Sequence, residues 1–264
     1  MTERTAAVPN RVKALYSSGA TAFGTYILLP APACVEIAAI SGFDFVRIDA
    51  YHTAVNPETL QAMVTTAYAF NITPWVRCRN DPFTIMTVLD LGVQMISIPN
   101  MSDAEAARAA VASAFYPPRG SREMNRPTRF RAHTAPEYLA WVNDNVVVSC
   151  QIEDGDGIAN YREIVKVEGL DCIQTGRGDI ALAIGLPGQE FHPKVLELEE
   201  RIVTAALEAG KQVSLVHPLT DDGIERTLRW AERGVRILTL DGDERVLQRA
   251  YSEGLGRVKQ RVSR

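Results

Sequence analysis

Cysteine is scarce in this chain, and no two of its four cysteines (Cys34, Cys78, Cys150 and Cys172) form a CxxC pair. Three of them lie in apolar runs typical of strands, so buried free thiols in a cytoplasmic protein are expected rather than disulfides or a zinc site. No apolar run approaches the roughly 18 residues of a membrane span, and residues 1–20 lack the apolar core of a signal peptide. A net charge of −4 does not indicate nucleic acid or an anionic membrane as a partner.

The chain alternates instead between two hydrophobic periods. Short runs of β-branched and aromatic residues are each followed by a polar turn and an amphipathic helical stretch. The eight strand candidates span residues 22–29, 43–49, 73–79, 93–99, 146–153, 170–176, 212–218 and 235–241. The stretches between them carry helix signals: Asn56 or Pro57 begins one helix, Ser102 is the expected N-cap of another, and Gly234 follows the end of a third.

Strands separated by helices pair in parallel, and eight similar units predict an α/β fold, the closed (β/α)8 TIM barrel. An open doubly wound sheet is the competing fold, but the first strand candidate lacks the GxGxxG turn. No linker is visible, so residues 1–264 are expected to form a single domain. One irregular segment, 117–134, contains three prolines and five arginines. Such a segment is usually a lid, an interface or disordered, and its arginines are expected to face solvent or another subunit rather than substrate.

A barrel of this type carries its active site at the carboxyl ends of the strands. Polar residues stand at six of these ends: Asp49 and His52, Arg77 and Arg79, Glu153 and Asp154, Arg177 and Asp179, His217, and Asp241. Glu153 and Asp179 follow adjacent strands, and two carboxylates with few other protein ligands suit Mg²⁺ or Mn²⁺. Asp154 is the less favoured ligand because its side chain points the opposite way along the strand.

Each of these residues also has a purely structural interpretation. Asp179 precedes an apolar helix and would serve as its N-cap. Arg47 shares a strand face with Asp49 and would be its buried partner. His192 and His217 are more typical of packing or surface positions than of catalysis. The coincidence of several polar strand ends, rather than any single residue, favours a site.

Longer stretches of the chain resemble a known family. The class II, metal-dependent pyruvate aldolases of the HpcH/HpaI type contain, in the same order, segments similar to FDFVRIDAYHTAVN, TPWVRCRNDPFTIMTVLDLGVQMISIPNMSDAEAARAAV, YPPRGSR, QIED and GRGDIALAIGLPGQEFHPKV. The resemblance covers nearly the whole chain. It implies a (β/α)8 barrel that exchanges a helix between subunits of a homo-oligomer, expected here to be a hexamer. It also implies cleavage of 4-hydroxy-2-oxo acids to pyruvate and an aldehyde.

The resemblance assigns roles to individual residues. Glu153 and Asp179 match the metal ligands of the family, so Mg²⁺ or Mn²⁺ is the expected cofactor. Arg77 matches the arginine that stabilises the pyruvate enolate, and Asp49 with His52 matches the base dyad. These roles agree with the chemistry: a metal and an arginine stabilise the developing enolate oxygen, while a histidine removes the C4 hydroxyl proton.

Four further residues belong to the expected site. Asp90 matches an aspartate that reaches the site of a neighbouring subunit. Arg177 and Gly178 belong to a GRGD segment whose backbone amides, at a helix N-terminus, would bind the substrate carboxylate. Gln151, which lies just before the metal-ligand position, is expected to contact substrate as well.

The chain departs from the family pattern at three positions. Tyr51 stands where the family has an acid, Arg177 where it has proline, and Glu123 where it has glycine. The loss of an acid and the gain of an arginine indicate a more anionic or otherwise unusual substrate. The alternative function is therefore a metal-dependent lyase, decarboxylase or C–C hydrolase acting on another 2-oxo acid. A non-catalytic barrel is disfavoured because the metal ligands, the arginine and the base are all retained.

Overall fold

The computed structural model describes residues 8–262, which form a closed barrel of eight strands surrounded by helices. The strands are β1 (Ala22–Ile27), β2 (Phe45–Asp49), β3 (Thr73–Arg77), β4 (Met95–Ile98), β5 (Val147–Ile152), β6 (Cys172–Thr175), β7 (Gln212–His217) and β8 (Ile237–Gly242). The helices in this range are α1 (Arg11–Ser17), α2 (Pro32–Ile40), α3 (Pro57–Ala69), α4 (Pro82–Asp90), α5 (Ala104–Ala114), α6 (Ala135–Asn145), α7 (Gly155–Ile164), α8 (Arg177–Ala183), α9 (Pro193–Glu208), α10 (Asp221–Glu232) and α11 (Asp243–Val262). None of these helices is long and apolar enough to cross a membrane.

All the strand pairs of the barrel are parallel. Each strand pairs with its successor along the chain, and β8 pairs with β1 to close the sheet. The predicted (β/α)8 barrel is therefore confirmed, and the open sheet is excluded. Several strands end earlier than the apolar runs suggested: β3 stops at Arg77, so Arg79 lies beyond the strand and is exposed.

Apolar side chains form two regions. A large outer core lies between the strands and the helices. A smaller plug fills the barrel at the amino ends of the strands, where Phe45, Trp75 and Met95 meet Val12 of α1. The ring of Phe45 lies against Gly24 of β1, where an added Cβ would come within 2.3 Å of it. Only glycine fits there, because the interior is already packed.

The barrel interior becomes polar above this plug. Arg47 is fully buried, and its Nη2 donates to Ser97 Oγ at 2.9 Å, to Gln151 Oε1 at 3.0 Å and to Gln174 Oε1. The expected pairing of Arg47 with Asp49 is therefore wrong. The two residues share a strand face but lie two positions apart, about 7 Å along the strand, so Arg47 is held by neutral groups on facing strands.

Helix boundaries follow the signals in the sequence with one exception. Asn56 caps α3, as predicted, by accepting a backbone N–H at 2.8 Å. The prediction of Ser102 as the N-cap of α5 is wrong, because Asp103 accepts the N–H three residues later at 2.7 Å. Gly234 follows the end of α10 with a φ of +96°, the left-handed conformation that favours glycine.

Segment 117–134 packs against the outer helices and does not cover the carboxyl ends of the strands. Its Arg122 is buried and pairs with Asp90 at the end of α4. Its Phe130 packs on Trp141 of α6, with ring centroids 4.4 Å apart. The segment follows α5 and precedes α6 and β5, so it belongs to the amino-end side of the barrel. A lid over the site of its own chain is therefore excluded.

The cysteines in the described range are free thiols, as predicted. Cys78, Cys150 and Cys172 are buried, and burial raises the pKa of each thiol, that of Cys78 to about 12. Buried thiols with a raised pKa are poor nucleophiles and poor metal ligands. These cysteines therefore contribute to packing rather than to chemistry.

Candidate active site

A cavity of about 420 Å³ lies at the carboxyl ends of the strands. Eight of the nine predicted site residues line it: Asp49, His52, Arg77, Gln151, Glu153, Arg177, Gly178 and Asp179. Asp90 is the exception. The barrel brings these side chains together from distant positions in the sequence because the carboxyl ends of all its parallel strands meet at one opening.

Arg77 connects two buried carboxylates in this cavity. Its Nη1 lies 3.3 Å from Asp49 Oδ2 and its Nη2 lies 3.5 Å from Glu153 Oε1. Arg77 is directly opposite Asp49 in the β2–β3 register, whereas Glu153 follows β5 across the opening. All three residues are buried. One guanidinium cannot neutralise two buried carboxylates, and the other buried cation, Arg47, reaches Glu153 only through Gln151.

The electrostatics of Glu153 reflect this imbalance. Burial raises its pKa, Arg77 and more weakly Arg47 oppose the shift, and the nearby carboxylate of Asp179 adds to it. Glu153 also accepts hydrogen bonds from Gln151 Nε2 at 3.0 Å and from the Asn100 backbone N–H at 3.4 Å. Gln151 thus links Glu153 to the buried Arg47. The carboxylate is held from the barrel interior, while its charge remains partly uncompensated.

The turn between β6 and α8 is shaped around Glu153. Gly176 is the N-cap of α8, and an added Cβ there would lie 2.0 Å from Glu153 Oε2. Asp179 is exposed in the first turn of α8, so its interpretation as the N-cap is wrong. Asp154 instead caps α7, its Oδ1 accepting the Gly157 N–H at 2.7 Å. Neither Glu153 nor Asp179 therefore caps a helix.

The donor set fits a hard divalent cation. The cavity is lined by three arginines and by seven carboxylates, namely Asp49, Glu153, Asp179, Glu190, Glu199, Asp241 and Glu244. No group of three or more histidine, cysteine or acidic side chains in residues 8–262 has the arrangement of a complete metal site. Mg²⁺ and Mn²⁺ need few protein ligands because they keep several waters, whereas zinc needs His or Cys. Glu153 and Asp179 are the residues that could hold such an ion.

Asp49 and His52 do not make the side-chain contact expected of a base dyad. Asp49 Oδ1 accepts the backbone N–H groups of Tyr51 at 2.8 Å and His52 at 2.9 Å. The His52 ring is exposed and packs edge-on against the Tyr51 ring at 4.7 Å. The tight turn after β2 brings these N–H groups to the carboxylate, as in an Asx turn. Asp49 therefore orients the loop that carries His52, rather than its imidazole.

Two of the departures from the family pattern have clear partners. The guanidinium of Arg77 lies over the Tyr51 ring, 5.4 Å from its centroid, so an aromatic face replaces an acid beside this arginine. Arg177 pairs with the buried Glu199 of α9 at 3.3 Å and donates to the Val216 carbonyl at 3.0 Å. The added arginine is thus neutralised within the protein. The third departure, Glu123, is exposed in segment 117–134.

Several predicted or considered residues lie away from the cavity. Asp90 accepts hydrogen bonds from Arg122 and Asn125 at the amino-end side of the barrel, so it does not serve the site of its own chain. His217 is buried and faces the outer helices, and His192 caps α9. The lining residues that the sequence did not indicate include Tyr26, Glu190, Phe191 and Glu199. Glu190 and Phe191 belong to the GQEFHP stretch, which lies within the longest segment similar to the family after β6.

The comparisons with known proteins agree with this geometry. The sequence model of the HpcH/HpaI aldolase/citrate lyase family matches residues 22–243. The chain belongs to this family.

Three relatives illustrate the similarity. The hydroxypyruvate/pyruvate aldolase of Delftia acidovorans is 30% identical over 95% of this chain and 93% of its own length. The 5-keto-4-deoxy-D-glucarate aldolase of Klebsiella pneumoniae is 31% identical over 87% of this chain and 90% of its own. The solved structure of a citrate synthase, SbnG, is 30% identical, covers 96% of this chain and 98% of its own, and superposes with a TM-score of 0.87.

The family and its curated relatives identify the reaction class. The chain is a carbon–carbon lyase of the class II pyruvate aldolase type, and members of this family generally depend on a divalent metal. The alternative of a decarboxylase or C–C hydrolase is not favoured, because the curated relatives are named as aldolases.

Gly176→Ala is expected to displace the Glu153 carboxylate, because the new Cβ would overlap Oε2 at 2.0 Å. Affinity for Mn²⁺, measured from the paramagnetic resonance signal of the free ion, should fall by about 10- to 100-fold. The matched control is Gly155→Ala, where a Cβ meets nothing within 4 Å. Equal Mn²⁺ affinity in both variants would contradict a metal role for Glu153.

Proposed function

We propose that the protein cleaves a 4-hydroxy-2-oxo acid to pyruvate and an aldehyde, or forms it in reverse. The observation that carries this proposal is the buried cluster of Arg77, Asp49 and Glu153, with the Asp179 carboxylate in the same cavity. Relatives named for pyruvate and for 5-keto-4-deoxy-D-glucarate support the same substrate class. The buried free thiols support the cytoplasm as the proposed location.

Glu153 and Asp179 are the proposed metal ligands, with Mg²⁺ or Mn²⁺ as the ion. When bound, the ion would act as a Lewis acid toward the keto and carboxylate oxygens of the substrate. Glu153 is suited to this role because it is buried, held by Gln151 and short of positive charge. Asp179 is suited because its side chain is exposed to the cavity and caps no helix.

The remaining steps fall to three other residues. Arg77 presents a fixed guanidinium, held by two carboxylates, to the oxygen on which enolate charge develops. His52 is exposed at the rim of the cavity, where its ring can accept the C4 hydroxyl proton directly or through a water. Gly178, in the first turn of α8, leaves a backbone N–H open toward a substrate carboxylate.

Arg77→Ala is expected to lower kcat for the cleavage of a 4-hydroxy-2-oxo acid by about 10²- to 10³-fold, the loss typical of one preorganised oxyanion donor. Arg77→Lys should restore only part of the rate, because an ammonium cannot reproduce the guanidinium fork. Pyruvate release is measured by coupling to lactate dehydrogenase. Arg79→Ala is the control, since Arg79 is exposed and outside the cavity. Normal turnover by Arg77→Ala would remove Arg77 from the mechanism.

A homo-oligomer is the proposed assembly, and the family resemblance favours a hexamer. Helix α11 has 20 residues and no buried side chain. Its apolar side chains nevertheless recur on one face: Leu247, Tyr251, Leu255, Val258 and Val262 are all exposed. A helix with a regular apolar stripe normally buries it, and a neighbouring subunit would cover it. Such an assembly would also allow Asp90 to reach the site of another subunit.

Leu255→Asp is expected to weaken this assembly, because a charge would have to be buried in the subunit interface. Light scattering coupled to size exclusion should show a smaller mass at micromolar concentration. Gln260→Asp, at an exposed position on the opposite face of the same helix, is the control and should keep the wild-type mass. A wild-type protein that is monomeric and active would contradict the proposed assembly.

A further inference from the structure

A second cavity lies outside the barrel, behind β7 and between α9 and α10. Its volume is about 280 Å³, and it shares only Arg177 and Glu199 with the catalytic cavity. This outer cavity is large compared with the volume of about 30 Å³ that one water occupies in the liquid. It is therefore large enough for a small organic molecule. The proposed catalytic chemistry does not use it.

Positive charge dominates the wall of the outer cavity. Four arginines line it, namely Arg177, Arg226, Arg229 and Arg233, against two glutamates. The glutamates are already engaged, Glu199 with Arg177 and Glu200 with Arg233. Arg226 pairs with Asp222, whose side chain is mostly exposed and outside the lining. The side chain of Arg229 makes no hydrogen bond or ion pair with any residue in 8–262, although its charge helps to lower the pKa of the exposed Asp222 carboxyl.

Two buried polar groups on this wall lack partners. His217 is 1% exposed, and neither ring nitrogen has a hydrogen-bond partner among the described residues. Arg177 Nε is likewise buried without a partner. Buried donors are almost always hydrogen-bonded. Two buried groups without partners beside one cavity therefore indicate that the cavity receives a ligand with hydrogen-bond acceptors. The burial of His217, together with Arg177 and Arg226, lowers its pKa to about 3, so the ring is neutral and offers one N–H and one lone pair.

The remaining wall is apolar, and aromatic rings hold several of the arginine side chains by stacking. Leu196 and Trp230 contribute carbon surface, and the guanidinium of Arg233 lies over the Trp230 ring at 4.5 Å. The ring of Phe191, which lines the catalytic cavity, lies against the guanidiniums of Arg177 and Arg226, 5.2 and 4.6 Å from its centroid. Stacked guanidiniums keep their donors directed, which suits oxyanion recognition better than a flexible lysine.

We propose that the outer cavity is a second ligand site, which binds a small oxyanion, either a phosphate or a carboxylate, through Arg226, Arg229 and His217. An anion of a few heavy atoms would accept from the two guanidiniums and from the histidine N–H, and the carbon atoms of a carboxylate or of a phosphate ester would contact Leu196 and Trp230. The site is separate from the proposed catalytic cluster and does not depend on it.

The test is a titration of the metal-free full-length protein with inorganic phosphate and, separately, with succinate. The ring signals of the four histidines are followed by ¹⁵N-resolved NMR, and His217→Asn assigns the His217 signal. Saturable shifts at His217 that do not extend to His52, which lines the catalytic cavity, are the expected result for at least one of the anions. Phosphate alone or succinate alone would identify the oxyanion.

Arg229→Gln separates a built site from general attraction by positive charge. Arg229 is exposed and unpaired, so the variant should fold normally while its anion affinity falls about tenfold, the typical effect of losing one charge-assisted hydrogen bond. Arg201→Gln removes the same charge from an exposed position of α9 outside the cavity and should leave the affinity unchanged. The absence of saturable His217 shifts with both anions, or an equal loss in the two arginine variants, would overturn the proposal.

Discussion

The pairing of Arg77 with Asp49 and Glu153 is the interaction around which the site is built. Two carboxylates and one guanidinium are all buried, with Arg77 at 3.3 Å from Asp49 and 3.5 Å from Glu153. The second buried cation, Arg47, reaches Glu153 only through Gln151, so the two carboxylates share one directly contacting positive charge. Such an arrangement is costly unless a cation completes it. The raised pKa of Glu153, caused by burial and increased by Asp179, expresses that cost. A divalent ion would remove it, and the same charge would then stabilise an enolate.

The barrel supports this cluster from below. Arg47 holds Gln151, and Gln151 holds Glu153, so a polar layer inside the barrel fixes the orientation of the carboxylate. The close approach of Gly176 fixes it from the side. A group held by such partners needs little reorganisation when charge develops beside it, which is the main contribution of a protein to polar catalysis. Packing at the amino ends and chemistry at the carboxyl ends are thus separate parts of one barrel.

The strand pattern predicts the barrel because hydrophobic period and strand ends are local properties of the sequence. Together with the family resemblance it indicates nine site residues, and the barrel brings eight of them to one cavity. Where sequence and structure differ, the difference concerns the hydrogen-bond and ion-pair partners of individual side chains. Arg47 binds residues of three other strands, and Arg177 binds Glu199 on a helix 22 positions later. Such contacts depend on the closed sheet and leave no periodic signal. The N-cap of α5 was misplaced by one residue, since Ser102 and Asp103 are both good caps. The backbone contacts of Asp49 were missed because they depend on the turn after β2.

The most direct test of the central claim is hydrogen exchange at the pyruvate methyl group in D₂O. Enolate formation requires only the metal, Arg77 and a base, so it does not depend on the identity of the aldehyde. With Mg²⁺ and the wild-type protein, the methyl signal in the proton NMR spectrum should decay faster than with Mg²⁺ alone. It should persist in the metal-free protein and in Glu153→Gln. No exchange in a demonstrably metal-loaded sample, or equal exchange by Glu153→Gln, would contradict the account.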